Sequence, residues 1–135
     1  MTATARLADA PVAPPAPAAA PAGLGRRGED LAARYLEEQG LVLLSRNWRC
    51  REGELDVIAT DGDRLVVCEV KTRSGTGFGV PAEAVTAAKI HRIRRLAQLW
   101  LSTYRVGWCE VRFDIISVLW PPDGPVRIEH LRGAF

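Results

Sequence analysis

Three residues in two neighbouring apolar runs have the types and spacing to do chemistry together. Asp56 interrupts "GELDVIAT", and Glu69 and Lys71 interrupt "RLVVCEVK". Both runs read as β-strands, whose side chains alternate between two faces. Alternation puts Glu69 and Lys71 on the face of Leu65 and Val67, with Val66, Cys68 and Val70 on the other. It groups Asp56 with Glu54 and Ile58. The "DGD" at 61–63 is a tight-turn signal, so the two runs should pair as a hairpin and bring Asp56 towards Glu69 where the register allows.

Two carboxylates held close together repel unless a cation lies between them or one takes a proton. Magnesium, or manganese in its place, suits such a pair. It favours oxygen donors, commonly one or two carboxylates with water or phosphate in the remaining positions. Such an ion polarises a phosphoryl oxygen and lowers the pKa of bound water. The Lys71 ammonium could stabilise charge growing on the phosphate or orient the attacking water. The chemistry would be metal-dependent hydrolysis of a phosphodiester. Buried structural ion pairs are the main competing reading. Glu69 and Lys71 taken alone also fit a solvated strand end.

The elements that must position these groups follow from periodicity. "LGRRGEDLAARYLEEQG" reads as a helix ending at Gly40, with Leu24, Leu31, Ala32, Tyr35 and Leu36 in one stripe. Glu29 falls on the edge of that stripe, where an acid looks along the sheet. Three strands follow, "LVLLSRNW", "GELDVIAT" and "RLVVCEVK", and then a glycine-rich loop, "TRSGTGFGVP". A long helix is expected from an N-cap at Thr86 to about Tyr104, with Ile90, Ile93, Ala97, Trp100 and Tyr104 inward. "EVRFDIISVLW" and "PVRIEHL" are two further strands. The order is α-β-β-β-α-β-β. The long helix can cross over and make its flanking strands parallel, giving an α/β fold with a mixed sheet flanked by helices.

Other candidates carry two readings each. Glu54 could be a further ligand or a partner of Arg49 or Arg51. Asp114, in "RFDII", reads as a structural partner of an arginine, with support of the site as the alternative. His91, Arg92, Arg94 and Arg95 cluster opposite the apolar stripe of the long helix, as a solvated face or as phosphate contacts. Arg73 and Lys89 complete the candidate nucleic-acid contacts. Trp48 and Trp108 read as core residues ahead of base-stacking platforms.

The 135 residues suit one folded domain, 23–135, behind an Ala/Pro-rich arm, 1–22, whose composition cannot offset the entropy of ordering. A net charge of +2 does not by itself announce nucleic acid, although arginine outnumbers lysine 16 to 2, and arginine forks suit phosphate. Cys50, Cys68 and Cys109 form no CxxC pair, which argues against a disulfide framework or a structural zinc site. A reducing cytoplasm fits, and no apolar run approaches the length of a membrane span.

Four segments, "GRRGEDLAARYLEEQG", "RNWRCREGELDVIATDGDRLVVCEVKTR", "FGVPAEAVTAAK" and "RFDIISV", together resemble the bacterial YraN-type family of predicted endonucleases. That family is similar to archaeal Holliday junction resolvases of the restriction-endonuclease-like PD-(D/E)xK superfamily. The resemblance covers about residues 24–130. It implies a restriction-endonuclease-like fold. It makes Asp56 and Glu69 the metal-binding acids, Lys71 the catalytic lysine and Glu29 the helix-borne acid of the resolvase-like branch. The superfamily's proline is missing, since Leu55 precedes Asp56. The implied activity is cleavage of DNA, with branched or junction DNA as one substrate form. A module of the same fold that binds nucleic acid without cutting is the alternative, and a homodimer stays open as its assembly.

Overall fold

A computed structural model describes residues 23–74 and 85–135. The arm at 1–22 and most of the glycine-rich loop lie outside the described residues. The elements run α1 (Leu24–Glu38), β1 (Val42–Cys50), β2 (Gly53–Asp61), β3 (Arg64–Arg73), α2 (Ala87–Thr103), β4 (Glu110–Leu119) and β5 (Arg127–Leu131). This is the order read from the sequence.

Helix α1 stops where glycine permits it. Gly40 has φ 94, and the Leu41 and Gly40 amides close on the Leu36 and Glu37 carbonyls, each at 3.0 Å. That is the six-to-one and five-to-two pattern of a Schellman cap. At the other helix, Thr86 Oγ1 accepts the Lys89 amide at 3.2 Å, the N-cap bond expected of a threonine there. Between β2 and β3, Asp61 pairs with Arg64 across a two-residue turn in which Gly62 sits at φ 63.

The five strands lie in the order β1-β2-β3-β4-β5. All pairings are antiparallel except β3–β4, which is parallel and joined by α2 as a crossover. Among the described residues, one helix covers each face. Ile93, Leu96, Ala97 and Trp100 of α2 pack with Leu55, Ile58, Leu65 and Val67. Ala32 and Leu36 of α1 pack with Val57, Val66, Cys68, Val70 and Ile116. Trp100 is fully buried, and its indole N–H donates to Ser45 Oγ at 3.0 Å, which satisfies its one polar atom. Burying a side chain of this size contributes roughly 1.5–3 kcal/mol.

Helix α1 lies close on β3 because Gly28 has no side chain. A Cβ there would overlap Thr72, coming within 2.8 Å of its Cβ. The absence of one carbon therefore lets the helix, and Glu29 with it, come down close on β3.

Two expectations need correction. Trp108 is 91% exposed and no core residue: it lies in the link between α2 and β4, outside any periodic element that could turn it inward. Trp48 is partly buried against the α2-side core, as expected. The strict alternation read for β2 also fails. Leu55 and Ile58 both pack on the α2 side although three residues apart, while Val57 packs on the α1 side. The alternation slips at Asp56. The pairs Arg46–Val57 and Trp48–Leu55 set Asn47 across from it, and Asn47 adopts a left-handed φ of 51. Asparagine tolerates that region better than most residues. Both strands thus break step at facing positions, and Asp56 does not simply share the face of Ile58.

Candidate active site

The β2–β3 ladder ends at Val57–Cys68. Beyond it β2 stays with β1 as far as Gly53, and β3 stays with β4 as far as Arg73. The sheet therefore forks, and the sequence-predicted acids stand in the fork. One step past the last rung sets Asp56 across from Glu69. Asp56 Oδ2 accepts the Val70 backbone N–H at 2.9 Å.

Glu69 reaches towards α2. One of its oxygens, Oε1, takes both Lys71 Nζ at 3.6 Å and Lys89 Nζ at 2.9 Å. The Glu69 side chain is only 12% exposed, so these pairs are poorly screened. Helical spacing explains the arrival of Lys89. It stands four residues before Ile93 and seven before Leu96, at the head of the buried stripe and over the fork.

Glu29 approaches from the other helix. It bonds to the Asn47 side chain and lies near Arg46, Glu54 and Arg26. Asp30, the next residue, pairs with Arg46. Glu54 forms an exposed pair with Arg49 at 2.9 Å, one of the two roles expected for it.

The electrostatics of the fork reflect crowding. Burial, and then the Glu69 charge, push the Asp56 carboxyl up to about 7, against the smaller opposing effect of the Val70 amide. Burial also raises Glu29, against its bond to Asn47. Burial and the neighbouring Lys89 hold Lys71 below the usual lysine range. Burial opposes the charge on Lys89 too, but its bonds to Lys71 and Glu69 outweigh burial and hold it above that range.

The donor chemistry fits a small hard cation. Among the described residues no three His, Cys, Asp or Glu side chains gather tightly enough to hold a metal alone. Asp56 and Glu69 could supply two carboxylate ligands and leave the remaining positions to water or substrate, which suits magnesium or manganese.

The basic candidates on α2 have different partners. Arg95 is tied to Glu52 at 2.8 Å, while Arg94 lies over the Phe113 ring at 5.3 Å. The aliphatic stem of Arg92 runs beside Gly53. His91, Arg94, Arg95, Gln98, Leu99 and Ser102 line a shallow groove along α2. The Arg73 carbonyl accepts the Trp120 amide at 2.7 Å.

A second polar cluster lies on the α1 face. Asp114 is fully buried and accepts Arg112 Nε and Nη2, each at 2.9 Å, and the Gly133 amide at 3.0 Å. His130 Nε2 lies 2.7 Å from Asp114, and Tyr35 Oη lies 3.0 Å from His130 Nδ1. Burial opposes the Asp114 charge, but these donors outweigh it and hold the carboxyl below its usual range. The arginine partner was readable from the sequence. His130 was not, because a histidine in a short last strand carries no local mark of what lies beneath it.

The fold and the fork define a class: a mixed α/β protein with one helix on each sheet face and an acid–lysine cluster where the central strands part. The family described as "Uncharacterised protein family UPF0102" matches residues 28–118, and the chain belongs to it. A UPF0102 protein of Frankia alni is 60% identical over 112 residues, covering 83% of this chain and 93% of its own length. One from Nocardia farcinica is 54% identical over 112 residues, covering 83% and 88%. One from Acidothermus cellulolyticus is 50% identical over 128 residues, covering 87% and 97%. No helix among the described residues is long and apolar enough to cross a membrane.

Proposed function

We propose that the chain is a metal-dependent endonuclease that hydrolyses phosphodiester bonds in DNA, with a restriction-endonuclease-like fold of the PD-(D/E)xK kind. The observation that carries this reading is the meeting of Asp56 and Glu69 at the fork, with Asp56 raised to about 7 by burial and its neighbour. A structural ion pair would hold an aspartate low. A carboxyl held high beside another acid is one whose charge a bound cation would stabilise, which supports the metal reading.

Asp56 and Glu69 would hold magnesium or manganese. When bound, the ion would polarise the scissile phosphate and acidify a water. Lys71, two residues from Glu69 on the same strand, would stabilise the charge that develops on the phosphate. Glu29, held by Asn47, would orient the water from the α1 side. Arg73, Lys89, Arg92, Arg94 and Arg95 are the proposed contacts to the DNA backbone, where arginine forks match phosphate. Branched and four-way DNA are the substrate forms suggested by the resolvase resemblance, and the cytoplasm is the proposed compartment.

A module that binds nucleic acid without cutting is the second reading. The ion pairs that already satisfy Glu69 favour it. A cleavage assay on linear, flapped and four-way DNA with magnesium or manganese separates the two. Cleavage that disappears on chelation and in Asp56→Asn supports the nuclease. DNA binding with no cleavage of any substrate under either metal would establish the binding module.

A further inference from the structure

We propose that Lys89 is a built-in occupant of the metal site: its ammonium holds the Glu69 carboxylate in the metal-free protein and must leave when a divalent cation binds. The inference rests on the metal reading above and goes beyond it, by giving Lys89 a role that contact with DNA does not include.

The geometry separates the two lysines. Both ammonium groups address the same oxygen, Glu69 Oε1, so together they place two positive charges where a divalent ion would place its own. Lys89 makes the closer contact, 2.9 Å against 3.6 Å for Lys71. Its backbone is fixed on α2 by the Thr86 cap, independently of the side chain. It also reaches Glu69 from a different element, across the fork, whereas Lys71 comes from the strand that carries Glu69.

Charge balance then dictates exchange. Without a cation, a carboxylate that is 12% exposed and faces another acid is poorly solvated, and Lys89 neutralises it. With a divalent ion on Glu69, an ammonium within hydrogen-bond distance of the same oxygen is repelled. Lysine is a flexible point charge on a four-carbon stem and can swing away without moving the helix. Lys89 therefore competes with the metal and weakens its apparent affinity.

The test is calorimetric titration of the full chain with manganese in the absence of DNA, so the readout is binding and not activity. Lys89→Ala should bind manganese about tenfold more tightly than wild type, since an occupant that must be displaced has been removed. Lys89→Arg keeps the charge and should stay within about twofold of wild type. A melting curve of each variant checks folding, and the capping bond does not involve the exchanged side chain. Equal or weaker affinity in Lys89→Ala would overturn the inference while leaving the metal reading intact. Absence of manganese binding in both wild type and Lys89→Ala would overturn both. Binding that appears only in Lys89→Ala would support both.

Discussion

Val70 donates its backbone N–H to the Asp56 carboxylate at 2.9 Å, just past the last rung that joins their strands. The bond favours a charged Asp56, yet burial and Glu69 outweigh it. Asp56→Asn keeps an acceptor oxygen for Val70 and removes the repulsion. Thermal melts of the metal-free protein should show the variant more stable at neutral pH by roughly 1–3 kcal/mol, on the scale of one to two pKa units relieved. Manganese titration of the same variant should show binding weakened at least tenfold. A loss of several kcal/mol would mean that Asp56 neutralises a buried cation and would sink the metal reading.

Asp56 also sets a pH dependence. Its folded value, about 7, lies above the ordinary aspartate value, so the folded chain holds this proton more tightly than the unfolded one. Stability of the metal-free protein should fall as pH rises from about 4 to 7, then level off as Asp56 becomes charged in both states. Asp56→Asn should lack that part of the slope. Manganese affinity should weaken below pH 7, because the ligand must first release its proton. Melting curves taken in chelator across this range check the first point, and wild type and variant curves of identical shape would remove Asp56 as the source.

Asp114 should respond in the opposite sense. It is as deeply buried as any of the described residues but is paired with the Arg112 fork and with His130. Asp114→Asn would take away the buried counter-charge of Arg112 and leave it the exposed Asp61 carboxylate, 3.2 Å from Nη1. Breaking a buried pair from one side costs about 3–5 kcal/mol, so the loss should lie near the lower end of that range. Denaturant unfolding measures this directly. The manganese affinity of the folded fraction should be unchanged, since Asp114 lies outside the fork.

Gly28→Ala probes the helix that carries Glu29. The added methyl would meet Thr72, a β-branched residue whose Cβ cannot rotate away. Overpacking of this kind costs typically 1–3 kcal/mol. Chemical denaturation should show a loss in that range, and Gly28→Ala with Thr72→Ser should recover part of it. No loss in the single variant would show that α1 lies further from β3 than described.

Most of the architecture was legible because each element carries its own local signal. The glycine stop of α1, the Thr86 cap, the "DGD" turn and the apolar runs act over a few residues, and all reappear in place. The approach of Asp56 to Glu69 was legible only as one register among others, because the turn residues mark a hairpin without fixing which residues face each other past its last rung. What escaped depends on contacts between distant parts of the chain. The slip at Asn47 and Asp56 is a joint property of two strands and leaves each run looking regular. Lys89 was read only as a nucleic-acid contact, and its pairing with Glu69 depends on how α2 docks over β3, although its spacing from Ile93 and Leu96 sets it at the head of the inward stripe. Trp108 was assigned to the core on residue type alone, where the absence of any periodic element should have decided otherwise.

Because strand order in space follows strand order along the chain, three of the four pairings close through short connections. Only β3–β4 must wait for a distant segment, and such closure is the slower, entropically costlier event. The hairpin that brings Asp56 towards Glu69 should therefore assemble before α2 delivers Lys89. On that order the two acids would meet before their counter-charge arrives. Substitutions in the β2–β3 turn should accordingly change the folding rate, while Lys89→Ala should act mainly on unfolding, which stopped-flow kinetics can distinguish. The acid pair is, on that order, a local conflict that the docking of α2 relieves.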